Sequence, residues 1–311
     1  MQLSILIAAA VLAPEVSALL RFSCSQLVTE PLDPLVDPGK APSQHVHQIV
    51  GGNAFKPEMT GDVPSQASCT TCEFADDFSN YWTAVLYFRA RNGTFERVPQ
   101  MPNQGFEAAD GGMTSYYTPS YNGQKVTAFQ PPGTRTGETM EMPNRPCNYG
   151  IMANIRFPTC WDGKILGSPD HSSHVAYPES GTFESGGPCP TSHPVKISQL
   201  FYEVIWDTRQ LNDPSIWPEN GSQPFVWSYG DKTGYGNHGD YVFGWKGNAL
   251  QVAMDTDCYI PCPQLRRQSF QTGNQCKVPR VTHEDIDGWL TELPGGMPVT
   301  GAPTKRETWE A

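Results

Sequence analysis

The chain has 311 residues and a formal net charge of -11 at pH 7, from 21 Lys and Arg against 32 Asp and Glu. An acidic surface repels nucleic acid and anionic membranes, so neither is expected as a partner. The 29 Gly and 29 Pro, beside 14 Phe, 12 Tyr and 8 Trp, indicate many turns between short strands rather than low-complexity disorder.

Residues 1–18 have the pattern of a secretory signal peptide. An apolar run from Leu3 to Ala13 ends at Pro14, and Val16-Ser17-Ala18 then supplies the small residues that signal peptidase accepts. The run is shorter than the ~20 residues that a membrane-spanning helix needs. We therefore predict cleavage after Ala18 and a secreted, extracellular protein with no membrane contact after cleavage.

Strand patterns recur after a Pro-rich, irregular stretch at 19–44. The segment His45–Val50 alternates and stops at Gly51, and Tyr81–Arg89 is rich in aromatic and β-branched residues. A turn at Asn92-Gly93 predicts a hairpin to residues 94–98. Further strands are predicted at 113–117, 125–129, 151–157, 200–206, 225–228 and 241–245.

Two segments favour helices, and the whole favours a mainly β fold. The helical segments are 248–255 and 282–293, the second with Thr282 placed as an N-cap. We expect a single β-sandwich or jelly-roll-like domain at 19–293, with long loops and one or two short helices. A polar, flexible tail is predicted at 294–311.

The cysteine and asparagine patterns fit an extracellular protein. Nine cysteines in an oxidising compartment should mostly form disulfides, and an odd number leaves at least one thiol outside an intramolecular pair. The C-T-T-C and C-Y-I-P-C spacings would instead favour zinc in a cytosolic protein. Acceptor triplets for N-linked glycans begin at Asn92 and Asn220 in turn-like contexts.

Three short polar clusters contain most of the histidines. They are candidates for general acid and base chemistry, although local hydrogen bonding alone would also explain them. An H-x-H spacing can also supply two ligands to one metal ion, but no cofactor is favoured over acid–base chemistry. The candidate catalytic residues are His45 and His47 in the first cluster, Asp170, His171 and His174 in the second, and His238 and Asp240 in the third.

Aromatic residues near these clusters are candidates for stacking on sugar rings. We expect Trp82, Trp161 and Tyr177 to line a substrate groove, since carboxylates beside aromatic platforms suit glycan hydrolysis. The favoured function is a hydrolase or lyase acting on a polysaccharide or cell-wall glycan. The alternatives are a non-catalytic wall-binding or effector-like protein and a His-rich metal-dependent oxidoreductase.

Several long stretches resemble one known family. They include H-V-H-Q-I-V-G-G-N-A-F at 45–55, S-P-D-H-S-S-H-V-A-Y-P at 168–178 and G-N-H-G-D-Y-V-F-G-W at 236–245. They are similar to a secreted fungal family catalogued as domain of unknown function nineteen-ninety-six, over roughly residues 36–260. The resemblance implies a fungal source and an extracellular setting. Some longer members append WSC modules, which implies work at a cell wall, and this chain shows no such Cys-rich segment.

Overall fold

The computed structural model describes residues 19–102, 111–118, 127–130, 139, 141–180, 187–256, 258 and 262–301. The predicted signal peptide at 1–18 lies outside these residues. So do the final residues, 302–311. Within the described part, no helix combines the length and the apolar character needed to cross a membrane.

The described residues form a mainly β, sandwich-like domain, as the strand patterns in the sequence predicted. It contains three short α-helices, one more than the predicted maximum. The strands are β1 Leu20–Glu30, β2 His47–Gly51, β3 Asn80–Ala84, β4 Leu86–Arg89, β5 Phe95–Arg97, β6 Gly112–Thr118, β7 Thr127–Gln130, β8 Ile151–Arg156, β9 Cys160–Trp161, β10 Val175–Ala176, β11 Val195–Lys196, β12 Gln199–Trp206, β13 Phe225–Trp227 and β14 Gly239–Val242. The helices are α1 Val63–Gln66, α2 Ala249–Met254 and α3 Phe270–Gln275.

The largest sheet has eight strands in the order β14-β3-β2-β1-β6-β12-β8-β7. Every neighbouring pair in it is antiparallel. Two three-stranded sheets accompany it, β13-β4-β5 and β10-β9-β11. The edge strand β14 brings a late segment of the chain beside β3, and therefore close to β2 and the start of the domain.

The main core lies between the eight-stranded sheet and the β13-β4-β5 sheet. The chain passes from one sheet to the other at Val85, whose amide donates to the Val46 carbonyl and whose carbonyl accepts from Ser228 N. Across the core, the buried rings of Trp206 and Trp227 meet edge to face with centroids 5.9 Å apart. Burial of such large rings is a principal source of stability in a sandwich.

A second apolar cluster covers the other face of the sheet where β1, β2 and β3 meet. Ile49 lies opposite Trp82 in the strand register, and both side chains are fully buried. Phe55 packs edge to face on Trp82, with ring centroids 5.5 Å apart. Because successive residues in a strand point to opposite faces, Tyr81 instead joins the main core. This end of the sheet is therefore buried on both faces.

The structure corrects the expectation of an irregular segment at 19–44. Residues 20–30 form the eleven-residue strand β1, which pairs with both β2 and β6. Leu20, Phe22 and Cys24 point into the main core, an alternation that the Pro-rich sequence after residue 30 obscured. At the edge of the sheet, β14 begins at Gly239 rather than at Tyr241.

The helix predicted at 282–293 is wrong, whereas the one predicted at 248–255 is confirmed as α2. Thr282 does not cap a helix, because its amide and hydroxyl both donate to the buried carboxylate of Glu30. Gly288 adopts a positive φ of 76°, which interrupts any helical run. Leu290 then exchanges two backbone hydrogen bonds with Phe95, each 2.8 Å long.

Eight of the nine cysteines form four disulfides. The pairs are Cys24–Cys72, Cys69–Cys276, Cys160–Cys189 and Cys258–Cys262. Cys147 is the remaining thiol, and it is partly buried. The expectation of several disulfides with one thiol left over is therefore met by this structure.

The described part of the predicted tail is hydrogen-bonded to the domain. The amide of Thr300 donates to the Gly230 carbonyl at 2.8 Å, and Thr300 pairs with Asp231 in a short parallel bridge. Leu293, at the end of the predicted domain, is buried. Residues 294–301 are consequently an ordered extension of the fold rather than the beginning of a flexible tail.

Candidate functional site

Three histidines from distant parts of the sequence meet at one end of the eight-stranded sheet. One ring nitrogen from each of His45, His47 and His238 lies within 4.8 Å of the other two. The Nε2 atoms of His45 and His238 are 3.4 Å apart. The ring centroids of His45 and His47 are separated by 4.3 Å. We call these three residues the histidine centre.

The strand register explains why these residues meet. His47 begins β2 and lies opposite Ala84 of β3. His238 immediately precedes Gly239, which pairs with Thr83, so His238 falls beside Ala84 on the other side of β3. Residues in one row across an antiparallel sheet share a face. The small side chain of Ala84, at the middle of this row, leaves space for the two imidazoles to approach each other.

His47 is the buried member of the centre. It is fully inaccessible to solvent, and its Nδ1 donates to the Leu32 carbonyl at 2.9 Å. Its Nε2 is buried without a hydrogen-bond partner among the described residues. Burial lowers the pKa of His47 to about 4, although the nearby carboxyl of Asp33 acts in the opposite direction. The imidazole is therefore neutral at physiological pH.

His45 is half-buried and completes one wall of the centre. Burial, followed by repulsion from His47 and His238, holds the pKa of His45 well below its ordinary value. The ring of Tyr229 stands edge to face against His45, with centroids 5.1 Å apart. The same tyrosine contacts His238 at 5.1 Å between centroids. Tyr229 is buried, so it supports both histidines from the protein side.

His238 is positioned by a tight polar loop. Its Nδ1 donates to the Gly236 carbonyl at 2.9 Å. The loop is held by the fully buried carboxylate of Asp231, which accepts from the amides of Thr233, Gly234 and Gly236. A Cβ at Gly236 would lie 2.5 Å from the Tyr229 hydroxyl and 3.1 Å from Asp231 Oδ2, so a larger residue would displace the Tyr229 side chain. His238 itself is half-buried, which leaves the centre partly open.

Two carboxyl groups lie beside the buried histidine. One oxygen each of Asp33 and Asp240 lies within 4.8 Å of a ring nitrogen of His47 and of the other carboxyl. Asp33 Oδ1 accepts from the amides of Leu35 and Val36. Asp240 Oδ2 is buried with no partner among the described residues. Burial, and then the charge of Asp33, raises the pKa of Asp240 well above its ordinary value.

The second predicted cluster, at 168–174, is not part of this centre. The hydroxyl of Ser168 donates to Asp170 Oδ1 at 2.5 Å and contacts His174 Nδ1 at 3.1 Å. Hydrogen bonding, first from Ser168, lowers the pKa of Asp170. His171 has a positive φ of 56° at the tip of the loop. Asp170, His171 and His174 thus form a locally bonded loop beside the β10-β9-β11 sheet.

The three aromatic residues expected to bind sugar do not line the histidine centre. Trp82 is fully buried against Phe55, so neither face of its ring is available to a sugar. Trp161 lies on β9 opposite Val175 of β10, and its Nε1 donates to the Ile165 carbonyl. The Tyr177 hydroxyl donates to the Arg156 carbonyl, and burial raises the Tyr177 pKa. Trp161 and Tyr177 therefore accompany the 168–174 loop.

Both predicted glycan acceptors lie on the surface. Asn92 and Asn220 are exposed. In each, the side-chain oxygen accepts the amide two residues on, from Thr94 at 3.0 Å and from Ser222 at 3.0 Å. These are the turn geometries expected from the sequence, and they leave the side-chain nitrogen of both residues directed away from that bond.

Sequence reasoning missed the residues that support the histidine centre. Asp33 lies just after β1, in the stretch read as irregular, and Tyr229 lies in the turn after β13. For Asp33, the available signal was the alternation of apolar residues in β1, the strand that precedes it. Asp231 follows the common pattern of an Asp that accepts nearby loop amides, which the glycine-rich sequence at 233–239 could have suggested.

Comparison with known protein families gives a match over more than half of the chain. The profile of a family described as "Domain of unknown function (DUF1996)" matches residues 33–135 and 130–245. These segments include His45, His47, His238 and both carboxyl residues beside them. No curated protein matches the chain, and no solved structure matches it.

Proposed function

We propose that this chain, which belongs to the family described as Domain of unknown function (DUF1996), is an extracellular enzyme that cleaves glycans by hydrolysis or by elimination. The observation that carries the proposal is the meeting of His45, His47 and His238 at one partly open point, with the Asp240 carboxyl beside His47. Structural histidines need only a local partner. Residues that converge from sequence positions almost two hundred apart are typical of a functional site.

An extracellular setting is part of the proposal. Four disulfides are usual in secreted proteins and rare in the reducing cytosol. The signal-peptide pattern at 1–18 and the exposed acceptor residues Asn92 and Asn220 agree with this setting. We include a fungal source and N-linked glycans in the same proposal.

A glycan substrate is supported by the chemistry available around the centre. Bonds in polysaccharides are broken by paired acid and base groups or by an activated water molecule, and both need polar side chains at one point. Tyr235 lies in the loop that positions His238, and half of its surface is exposed. Its ring offers an apolar face of the kind on which sugars pack. This role replaces the one expected of Trp82.

A turnover screen tests the proposal. Purified protein is incubated with β-glucans, chitin, mannans and acidic polysaccharides, and products are measured as new reducing ends or as unsaturated sugars. We expect turnover of at least one glycan and a loss of about 100-fold or more in His45→Ala. The matched control is His171→Asn, since Asn tolerates the left-handed backbone of that exposed loop position.

The outcomes separate the enzyme from its alternative. Turnover that survives unchanged in His45→Ala would remove the histidine centre from the reaction. Binding on a glycan array without turnover of any substrate would favour the non-catalytic wall-binding protein. A loss of turnover in His171→Asn equal to that in His45→Ala would contradict the assignment of the reaction to the histidine centre rather than to the 168–174 loop.

A further inference from the structure

We propose that His45, His47 and His238 bind a divalent transition metal ion of the zinc class through their Nε2 atoms. Imidazole nitrogen is a common ligand for such ions, and three histidines are a recurrent donor set for catalytic zinc. This inference goes beyond the proposed function, because that function does not name a bound ion. Metal binding can also be measured without any turnover.

The spacing of the ring nitrogens fits a tetrahedral ion. A metal–nitrogen distance of about 2.0–2.1 Å with tetrahedral angles places neighbouring ligand atoms about 3.3–3.4 Å apart. The Nε2 atoms of His45 and His238 are 3.4 Å apart. All three histidines have ring nitrogens within 4.8 Å of one another, so a small side-chain adjustment would bring each to an ion at the common point.

The orientation of two rings is fixed by backbone carbonyls, as is usual for metal-binding histidines. Nδ1 of His47 lies 2.9 Å from the Leu32 carbonyl, and Nδ1 of His238 lies 2.9 Å from the Gly236 carbonyl. A carbonyl oxygen can only accept a hydrogen bond, so both Nδ1 atoms carry the proton. In this tautomer Nε2 is the ring nitrogen whose lone pair can bind a metal ion.

The buried nitrogen of His47 is the second, independent observation. His47 is fully inaccessible to solvent, and its Nε2 finds no hydrogen-bond partner in the described part of the chain. Buried polar atoms in proteins are nearly always paired, so an unpartnered one calls for an occupant. A cation at the centre of the three rings satisfies this atom.

The centre also leaves room for a fourth ligand. His45 and His238 are half-buried, whereas His47 lies beneath them, so one side of the centre is open to solvent. Catalytic zinc sites characteristically combine three protein ligands with a fourth position for water or substrate. In the proposed enzyme the histidines would then hold the ion, and proton transfer would fall to other groups at the centre.

Calorimetric titration of the purified full-length chain with Zn²⁺, after dialysis against a chelator, tests the inference. We expect one equivalent to bind, and thermal unfolding to shift upward with Zn²⁺. His238→Ala should weaken the affinity about 100-fold or more, whereas the control His171→Asn should bind as the wild type does. His45→Ala provides a second ligand variant, because His47→Ala removes a buried side chain and could fail to fold.

The results distinguish failure of the metal site from failure of the proposed function. Absence of Zn²⁺ binding, or equal affinity in wild type and in both half-buried ligand variants, would overturn the metal site. Stoichiometric binding lost in both variants would support it, even if no glycan is turned over. Absence of Zn²⁺ binding by protein that still turns over a glycan would overturn the metal site and leave the enzyme proposal standing.

Discussion

The Nε2 atoms of His45 and His238 lie 3.4 Å apart although 193 residues separate them in the sequence. Neither residue lies within a strand. His238 immediately precedes β14, and His45 lies two residues before the start of β2. The intervening strand β3 holds the two segments in register. The centre therefore depends on strand pairing, and its geometry should respond to changes in the loops that lead into these strands.

Gly236→Ala should disturb the histidine centre without touching a histidine. The added methyl group would lie 2.5 Å from the Tyr229 hydroxyl, and Tyr229 supports both half-buried histidines. We expect a loss of about 1–3 kcal/mol in the free energy of unfolding, measured in urea, together with weaker Zn²⁺ binding. Gly167→Ala is the control, because a Cβ there meets no atom within 4 Å. Wild-type stability and affinity in Gly236→Ala would contradict the packing argument.

Asp77 should make stability fall as the pH rises. Burial raises the pKa of Asp77 to about 7, against hydrogen bonds from Ser79 and Tyr81 that favour the charged form. A folded-state pKa above the unfolded value means that this contribution is complete below pH ~4 and is lost as the pH rises through about 7. Asp77→Asn cannot ionise, so its stability relative to wild type should increase across this window.

Urea unfolding of wild type and Asp77→Asn at about pH 4 and about pH 8 measures this effect. Subtraction removes the other titrating groups, which the two proteins share. A difference in unfolding free energy that is the same at both pH values would show that the carboxyl titrates normally in the fold.

Glu30→Ala should release the segment that follows α3. The buried carboxylate of Glu30 accepts from the amides of Val281 and Thr282 and from the Thr282 hydroxyl. Thr282 is buried, and loss of a charged acceptor costs about 1.5–3 kcal/mol when a donor is left buried without a partner. Glu219→Ala is the matched control, since its ion pair with Arg91 is exposed and such pairs contribute about 0–1 kcal/mol. Equal effects in urea unfolding would contradict the assignment.

The disulfides should differ in their contribution to stability according to the loops they close. Cys69–Cys276 joins residues 207 apart in sequence, whereas Cys258–Cys262 joins residues 4 apart. Chain-entropy arguments give about 5 kcal/mol for the long loop and about 2 kcal/mol for the short one. Replacing each pair by serine and comparing unfolding in urea tests this order, and a larger loss from the short loop would reverse it.

The sequence predicted where strands form better than it predicted which distant residues they contact. Apolar and β-branched runs predicted β4, β8, β12 and β13 because a strand buried on one or both faces carries that pattern within itself. The helix at 282–293 failed because its cap pattern was local, whereas the competing partner, Glu30, lies about 250 residues away. Nothing in a short window of sequence reports such a bond.

The candidate site was predictable in its residue types and not in its membership. Clusters at 45–47, 168–174 and 238–240 were all polar and rich in histidine, so each fitted the same expectation. Only strand register distinguishes them: β14 pairs with β3, while the 168–174 loop leads into β10 of a different sheet. Trp82 was misjudged because a large aromatic ring suits either a sugar platform or a core, and its partner Phe55 decides for the core.

The passage of the chain through Val85 from one sheet to the other has a consequence for how the domain opens. Val85 is hydrogen-bonded through its amide to Val46 and through its carbonyl to Ser228, so it is held by a segment next to each of the two sheets. Neither sheet can separate from the core while the other stays folded, because β3 and β4 are consecutive strands joined directly through Val85. Amide hydrogens in both strands should therefore exchange with solvent through a single cooperative opening rather than through separate fluctuations of two sheets.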